Sequence, residues 1–198
     1  MWGDLKWGVK VYIWEFDPRG LIGRGNVGHT SILICTDGSH GTQNKTTYLS
    51  WWPKGGEGGF GNMEHDRPRA YGARGKEATR DDHQDDQARV TDKDREEGSA
   101  KWKFRIEAGI SPPLMHMFVD ELIVGSVKTS MLAKPKAYNG ATQNCSTTVA
   151  HCLRAGGADT YVKWPDHSIW TPNDVYRYVR NLTEAIASKY SGKARQVR

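Results

Sequence analysis

The distribution of hydrophobic and polar residues predicts four β-strands. Residues 9–16 (VKVYIWEF) and 101–107 (KWKFRIE) alternate between apolar and polar positions, while 28–35 (GHTSILIC) and 46–52 (TTYLSWW) are short apolar or aromatic runs. Turn sequences separate the first three segments, and Pro53 ends the third. These spacings predict that the first three strands form an antiparallel meander. Residues 101–107 are predicted to return the chain to the same sheet.

Apolar positions at helical spacing predict three helices in the C-terminal half. The first begins at the Ser111-Pro112-Pro113 sequence, and the second runs from about Cys145 to Arg154. The third begins after Thr171, with Pro172 in its first turn. Strands followed by helices indicate the α+β class.

Residues 54–100 contain almost no large apolar side chains. A glycine-rich stretch gives way to a charged one, which cannot bury enough surface to offset the entropy of ordering it. We therefore expect a single domain over residues 1–198, with a mobile charged insertion at about 54–100.

The net charge of +5 is unevenly distributed. Residues 77–97 hold nine acidic and four basic residues, a net charge of −5, so the rest of the chain carries +10. A basic body can attract nucleic acid, anionic lipid or an anionic cell-wall polymer, and charge alone does not choose among them.

Neither a membrane span nor a signal peptide is evident in the sequence. We therefore expect synthesis in the cytoplasm, with any export using a route that reads no such signal. The odd number of cysteines, three, argues against a disulfide framework.

Cys145 and His29 are the candidate catalytic pair. A cysteine in the first turn of a helix is a nucleophile candidate, because the helix dipole and the terminal N–H groups stabilise a thiolate. Packing as a small buried hydrophobe is about equally favoured for Cys145, and better explains Cys152 and Cys35. His29, at the start of an apolar strand, can serve as base and then acid.

A known family combines these features. Gly28-His29 opening an apolar strand, an aromatic strand after it, and Asn144-Cys145-Ser146 at a helix start resemble the circularly permuted papain-like hydrolases, the NlpC-type amidases. The resemblance covers roughly residues 8–52 and 101–156. It implies a small antiparallel sheet packed against a cysteine-bearing helix, with Cys145 as nucleophile and His29 as base.

The resemblance also implies a third catalytic residue, a polar side chain on the strand after the histidine strand. On 46–52 this position is Ser50, with Tyr48 as a neighbour, and residues 64–66 (EHD) offer substitutes. Such a residue orients the imidazole.

Further residues are candidates for binding the substrate. The Cys145 N–H and a donor from Tyr12 or Trp14 would stabilise the oxyanion. Trp51 and Trp52 either line the substrate cleft or pack in the core. The remaining candidates for substrate contact are Tyr12 and Asn144.

The small size, basic body and lack of a signal peptide resemble type VI secretion effectors of the TseH kind, which cut peptidoglycan. This resemblance implies hydrolysis of peptidoglycan peptide amides in the periplasm of a target cell. It also implies partners, namely an immunity protein and a secretion-system carrier. No cofactor is implied.

Three alternative functions can be set against this interpretation. A metal site is disfavoured, since the sequence has no HExxH or CxxC motif and the aspartates of 81–94 lack calcium-loop spacing. Nucleic-acid binding is disfavoured because the basic residues, apart from the tail 189–198, are scattered. The same Cys-His pair could instead act on lipid esters or as an acyltransferase, which release of fatty acid rather than amine would reveal.

Overall fold

The described part of the chain contains one sheet and three α-helices. A computed structural model describes residues 5–17, 28–37, 45–51, 69–71, 100–124, 142–190 and 194–197. In chain order the elements are β1 (Gly8–Trp14), β2 (His29–Thr36), β3 (Lys45–Ser50), β4 (Arg69–Tyr71), β5 (Trp102–Ile106), α1 (Pro112–Val124), α2 (Cys145–Ala155), a 3₁₀ turn (Ala158–Thr160), α3 (Pro172–Tyr190) and β6 (Ala194–Val197). The predicted α+β class is confirmed.

The strands form a six-stranded sheet in the order β4-β3-β2-β1-β5-β6, and every neighbouring pair is antiparallel. The predicted β1-β2-β3 meander is confirmed, and β5 rejoins the sheet beside β1. The two short edge strands, β4 and β6, were not predicted from the sequence. β4 lies within the segment predicted as an insertion, whose residues 54–68 and 72–99 fall outside the described part of the chain, and β6 lies in the basic tail.

Buried side chains cover both faces of the sheet. The face toward the helices carries apolar strand residues that pack with the stripes of α1, α2 and α3, among them Val11, Ile32, Leu49, Val149 and Leu182. The opposite face carries a second cluster: Leu5, Tyr12, Trp14, Leu33, Cys35, Tyr48 and Ala100. Because a one-residue slip would exchange the two sets, this packing fixes the strand register.

A glycine brings the start of β2 close to the end of β1. Gly28 has a φ of +65°, and a Cβ there would lie 2.8 Å from the Glu15 carbonyl oxygen. Only a residue without a side chain allows this approach at low cost. The close contact places His29 directly opposite Trp14 in the β1–β2 register.

Side chains cap the starts of α2 and α3. The Asn144 Oδ1 atom accepts a hydrogen bond of 2.9 Å from the Thr147 N–H. At α3, the Thr171 N–H donates to the Asp174 carboxylate at 3.0 Å, and the Asp174 N–H donates to the Thr171 hydroxyl at 3.2 Å. This reciprocal pair is a capping box, which fixes where α3 begins.

No helix within the described ranges has the length and hydropathy required to span a membrane.

His116 is a buried titratable group on α1, only 5% exposed. It lies near Lys45 and Asp120, whose Nζ and Oδ2 atoms form an ion pair of 3.1 Å. Burial, followed by the Lys45 charge, lowers the pKa of His116 to about 4, although the Asp120 charge and the nearby Lys45 backbone act in the opposite direction. The imidazole is therefore neutral in the folded protein at pH 7.

We expect His116 to make the folded protein less stable as the pH falls from 7 to 4. The unfolded chain binds this proton near pH 6.5 and the folded chain only near pH 4, so the free energy of unfolding decreases across that window. The shift corresponds to about 3 kcal/mol. Urea unfolding at pH 7, 5.5 and 4 measures how much the free energy of unfolding falls. From pH 7 to pH 4 this fall should be about 3 kcal/mol smaller in His116→Gln than in the wild type. An equal fall in both proteins would contradict the assignment.

Candidate active site

The Cys145 thiol lies at the first residue of α2, only 7% exposed. The chain reaches this position in an extended conformation at Asn144, whose side chain caps the helix. The helix start directs its terminal N–H groups and the positive end of its dipole toward the sulfur. The sulfur is therefore held where negative charge is favoured.

Three groups from two elements contact the thiol. The His29 side chain and the Thr30 backbone, both at the start of β2, hydrogen-bond the Cys145 sulfur. The Ser146 hydroxyl lies 3.9 Å from it. The fold thus brings together Cys145 and His29, which are 116 positions apart in the chain, as the sequence analysis required.

The pKa of the Cys145 thiol is lower than its ordinary value of 9.0. Burial by itself raises the pKa, because it disfavours the charged thiolate. The charge of His29 and its hydrogen bond, followed by the Thr30 and Ser146 hydrogen bonds, outweigh burial and lower the pKa. This environment is the one expected of a reactive cysteine rather than of a packed one.

The contrast with Cys152 supports this distinction. Cys152, two turns further along α2, is fully buried within the apolar cluster that faces the helices. Burial alone raises its pKa, so it stays a thiol. The interpretation of Cys152 as a packing residue agrees with this environment.

The His29 imidazole is 1% exposed and is held from two sides. Its Nε2 atom lies 3.0 Å from the Ser50 hydroxyl oxygen. The Trp14 ring lies against it, with 5.4 Å between ring centroids and 38° between ring planes. All three residues predicted as catalytic are therefore adjacent: Cys145 to His29, and His29 to Ser50.

The residues predicted to bind substrate are differently placed. Asn144 is occupied in capping α2 and in donating to the Trp170 carbonyl oxygen at 3.0 Å. Trp51 is 1% exposed, so it packs in the interior and presents almost no surface to a substrate. Trp52 lies outside the described residues, as does the alternative third-residue segment 64–66.

The two proposed oxyanion donors differ in their distance from the base along the sheet. Trp14 pairs with His29, whereas Tyr12 pairs with Ser31, two residues further on. Tyr12 also packs edge-on against Tyr48, with 6.3 Å between ring centroids. Burial, and secondarily Cys35, raise the pKa of the Tyr12 hydroxyl, which therefore remains protonated. Of the two aromatic residues, Trp14 is the one beside the base.

The sequence analysis missed Thr30 and Ser146. Both are buried, and the Thr30 hydroxyl donates to the Ser146 hydroxyl at 3.4 Å, which joins β2 to α2 next to the sulfur. Their positions in the sequence gave a signal, since Thr30 follows the predicted base and Ser146 follows the predicted nucleophile.

Among the described residues, no cluster of His, Cys, Asp or Glu is suited to hold a metal ion.

Comparison with known families assigns the chain to one of them. The model of the IcsB middle domain matches residues 5–116 and 123–197. The chain belongs to the IcsB middle domain family. The matched ranges include Cys145, His29 and Ser50, so the whole candidate site lies within the IcsB middle domain.

A shorter similarity links the chain to large toxins. A stretch of 51 residues, 24% of the chain, is 43% identical to the multifunctional-autoprocessing repeats-in-toxin of Vibrio cholerae serotype O1. The toxin of the same name from Vibrio vulnificus gives the same identity and coverage. The match spans about 1% of the length of either toxin.

We expect Cys145 to react with iodoacetamide at a pH where an ordinary thiol is largely protonated. Peptide mass spectrometry after a pH series should place its alkylation midpoint below 9.0. In His29→Gln the midpoint should rise relative to the wild type, because burial remains while the contribution of the imidazole is lost. A midpoint unchanged by this substitution would refute the pairing.

Proposed function

We propose that this member of the IcsB middle domain family is the catalytic module of a bacterial effector toxin and acts through a thioester on Cys145. The observation that carries the proposal is the contact of a thiol at a helix start with a buried imidazole that is held in turn by a hydroxyl. Nucleophile, base and orienting group in this order are the minimal apparatus of covalent acyl chemistry. The toxin similarity supports the biological setting.

The first half-reaction loads the cysteine. Since Nε2 of His29 faces Ser50, we assign Nδ1 as the nitrogen that takes the thiol proton. The thiolate attacks the substrate carbonyl carbon and forms a tetrahedral oxyanion. Collapse of this intermediate breaks the bond to the leaving amine or alcohol, which takes the proton from His29. The products are a Cys145 thioester and the free leaving group.

The second half-reaction unloads the cysteine. His29, again neutral, takes a proton from the incoming nucleophile as the latter attacks the thioester carbon. The second tetrahedral intermediate collapses, and the Cys145 thiolate leaves and is reprotonated by His29. Water as nucleophile makes the enzyme a hydrolase, and an amine or alcohol makes it an acyltransferase.

Ser50 is the third residue of this proposal. Its hydroxyl oxygen can accept the Nε2–H of His29, which leaves Nδ1 as the basic nitrogen. A serine fixes the tautomer and the ring orientation without adding the negative charge of a carboxylate. We therefore assign Ser50 to orienting the base rather than to stabilising the imidazolium by charge.

The start of α2 supplies oxyanion stabilisation. The N–H groups of Thr147 and Thr148 are bound to Asn144, whereas those of Cys145 and Ser146 come before the hydrogen-bonded body of the helix. The Cys145 N–H is the first donor to an oxyanion formed at the sulfur. We propose Trp14, whose ring lies against His29, as the second donor to the oxyanion.

Amide hydrolysis is the reaction implied by the resemblance to NlpC-type amidases, with peptidoglycan peptides as substrate and an immunity protein and secretion carrier as partners. Acyl transfer is the second candidate, and the burial of the site favours it. Cys145, His29 and Ser50 are all nearly inaccessible. A centre that excludes water slows hydrolysis of a thioester and leaves time for a bound acceptor to react.

We expect Cys145→Ala and His29→Ala to lose activity by roughly 10³-fold or more, because each removes a member of the unit that forms the thioester. Cys152→Ala is the matched control, since it changes a buried cysteine of the same helix that has no contact with His29 among those described. Thermal unfolding should show that all three variants fold. Full activity in Cys145→Ala would refute the proposal.

The fate of the acyl group can be followed in two assays. Purified sacculi analysed by mass spectrometry should show new muropeptide termini if the enzyme is a peptidoglycan amidase. A p-nitrophenyl ester supplied with a lysine-containing peptide reports acylation by nitrophenolate release. Free acid then indicates hydrolysis, and acylated peptide indicates transfer. The thioester mechanism would be refuted if Cys145→Ala produced the same muropeptide termini and the same nitrophenolate release as the wild type.

A further inference from the structure

We propose that the start of α3 is a clamp that holds the nucleophile and the base in register, with Asn173 as its positioning residue. We define the α3 clamp as residues Trp170–Asn173. This inference rests on the proposed function, since it concerns the same Cys145–His29 pair. Two sets of hydrogen bonds carry it: one joins the clamp to Asn144, the residue before the nucleophile, and the other joins it to Phe16, whose backbone contacts the residue before the base.

The first arm reaches Asn144, the residue before the nucleophile. The Asn144 side-chain amide donates to the Trp170 carbonyl oxygen at 3.0 Å, while its Oδ1 atom accepts from the Thr147 N–H at 2.9 Å. One side chain thus bonds both the α3 clamp and the first turn of α2. Since Cys145 is the next residue, the position of the sulfur depends on the clamp.

The second arm reaches the end of β1. The Asn173 side chain donates from Nδ2 to the Phe16 carbonyl oxygen at 3.0 Å, and its Oδ1 atom accepts from the Phe16 N–H at 3.2 Å. The amide therefore occupies both backbone groups of one residue, as a neighbouring strand would. These bonds span 157 positions of the chain and anchor the segment that follows Trp14.

The anchored segment in turn sets the position of the base. A Cβ on Gly28 would lie 2.8 Å from the Glu15 carbonyl oxygen and 2.9 Å from the Phe16 nitrogen, so the two backbones are in direct contact. His29 follows Gly28 and packs against the Trp14 ring. A shift of Phe16 would therefore displace the start of β2 and with it the imidazole.

The clamp itself is rigid. The Thr171–Asp174 capping box fixes the start of α3. Trp170 is buried between Trp164 and Tyr178, with ring centroids 5.1 Å and 5.6 Å away. Both arms thus extend from a well-packed part of the core. Because an error of about 1 Å in a catalytic contact can cost roughly 10²-fold in rate, such an anchor affects the chemistry directly.

The test uses Asn173→Ala, with Asn181→Ala as the matched control. Asn181 is an exposed residue of the same type on the same helix. In Asn173→Ala the alkylation midpoint of Cys145 should rise, and kcat for the p-nitrophenyl ester should fall roughly 10- to 100-fold with KM little changed. Asn181→Ala should leave midpoint, kcat and KM at their wild-type values.

A second variant cuts the other arm. Asn144→Ser keeps a side chain suited to capping α2 but is too short to reach Trp170. It should raise the alkylation midpoint of Cys145, as Asn173→Ala does. In the double variant the fold decrease in kcat should be smaller than the product of the two single decreases, because both substitutions act on one contact. If Asn173→Ala does not fold, Asn144→Ser decides the question.

The outcomes separate this inference from the function on which it rests. An ordinary thiol titration in the wild type would refute the proposed catalytic pair. A lowered wild-type midpoint that neither clamp variant changes would overturn the clamp and leave the pair intact. A lower melting temperature with an unchanged midpoint would show that Asn173 is only structural, and would likewise overturn the clamp.

Discussion

The contact between the Cys145 thiol and the His29 imidazole is the interaction on which the rest of the site depends. Both groups are buried, and burial opposes charge on either one. A thiolate is favoured only because an imidazole, a helix start, a backbone N–H and a hydroxyl all lie close to one sulfur atom. The apolar packing on both faces of the sheet and the glycine before His29 serve the same requirement, since they fix β2 relative to α2.

Local pattern was enough to predict the main elements. The apolar runs of β1, β2, β3 and β5 and the helix-start residues of α1 and α3 encode structure within a few neighbouring positions. The edge strands β4 and β6 were missed because three or four residues carry too little pattern. Asn173 was missed for another reason. Its side chain bonds the backbone of Phe16, 157 positions away, and a contact of this kind has no signature in a single sequence.

The candidate site shows a similar division. Cys145 was predicted from its helix position, whereas the choice of His29 among seven histidines and of Ser50 as its neighbour came from a resemblance. The adjacency of all three in the fold is what local pattern could not supply. Asn144 and Trp51 illustrate the converse. Each was a substrate-contact candidate by its location in the chain, but one caps a helix and the other is enclosed by the core.

The long separation between nucleophile and base has a consequence for an immature polypeptide. His29 lies early in the chain and Cys145 late. In an unfolded or incompletely synthesised chain the two are apart, so the Cys145 thiol has its ordinary pKa and is mostly protonated and weakly nucleophilic at neutral pH. The surroundings that lower the pKa of this thiol form only when the last third of the chain docks onto the first.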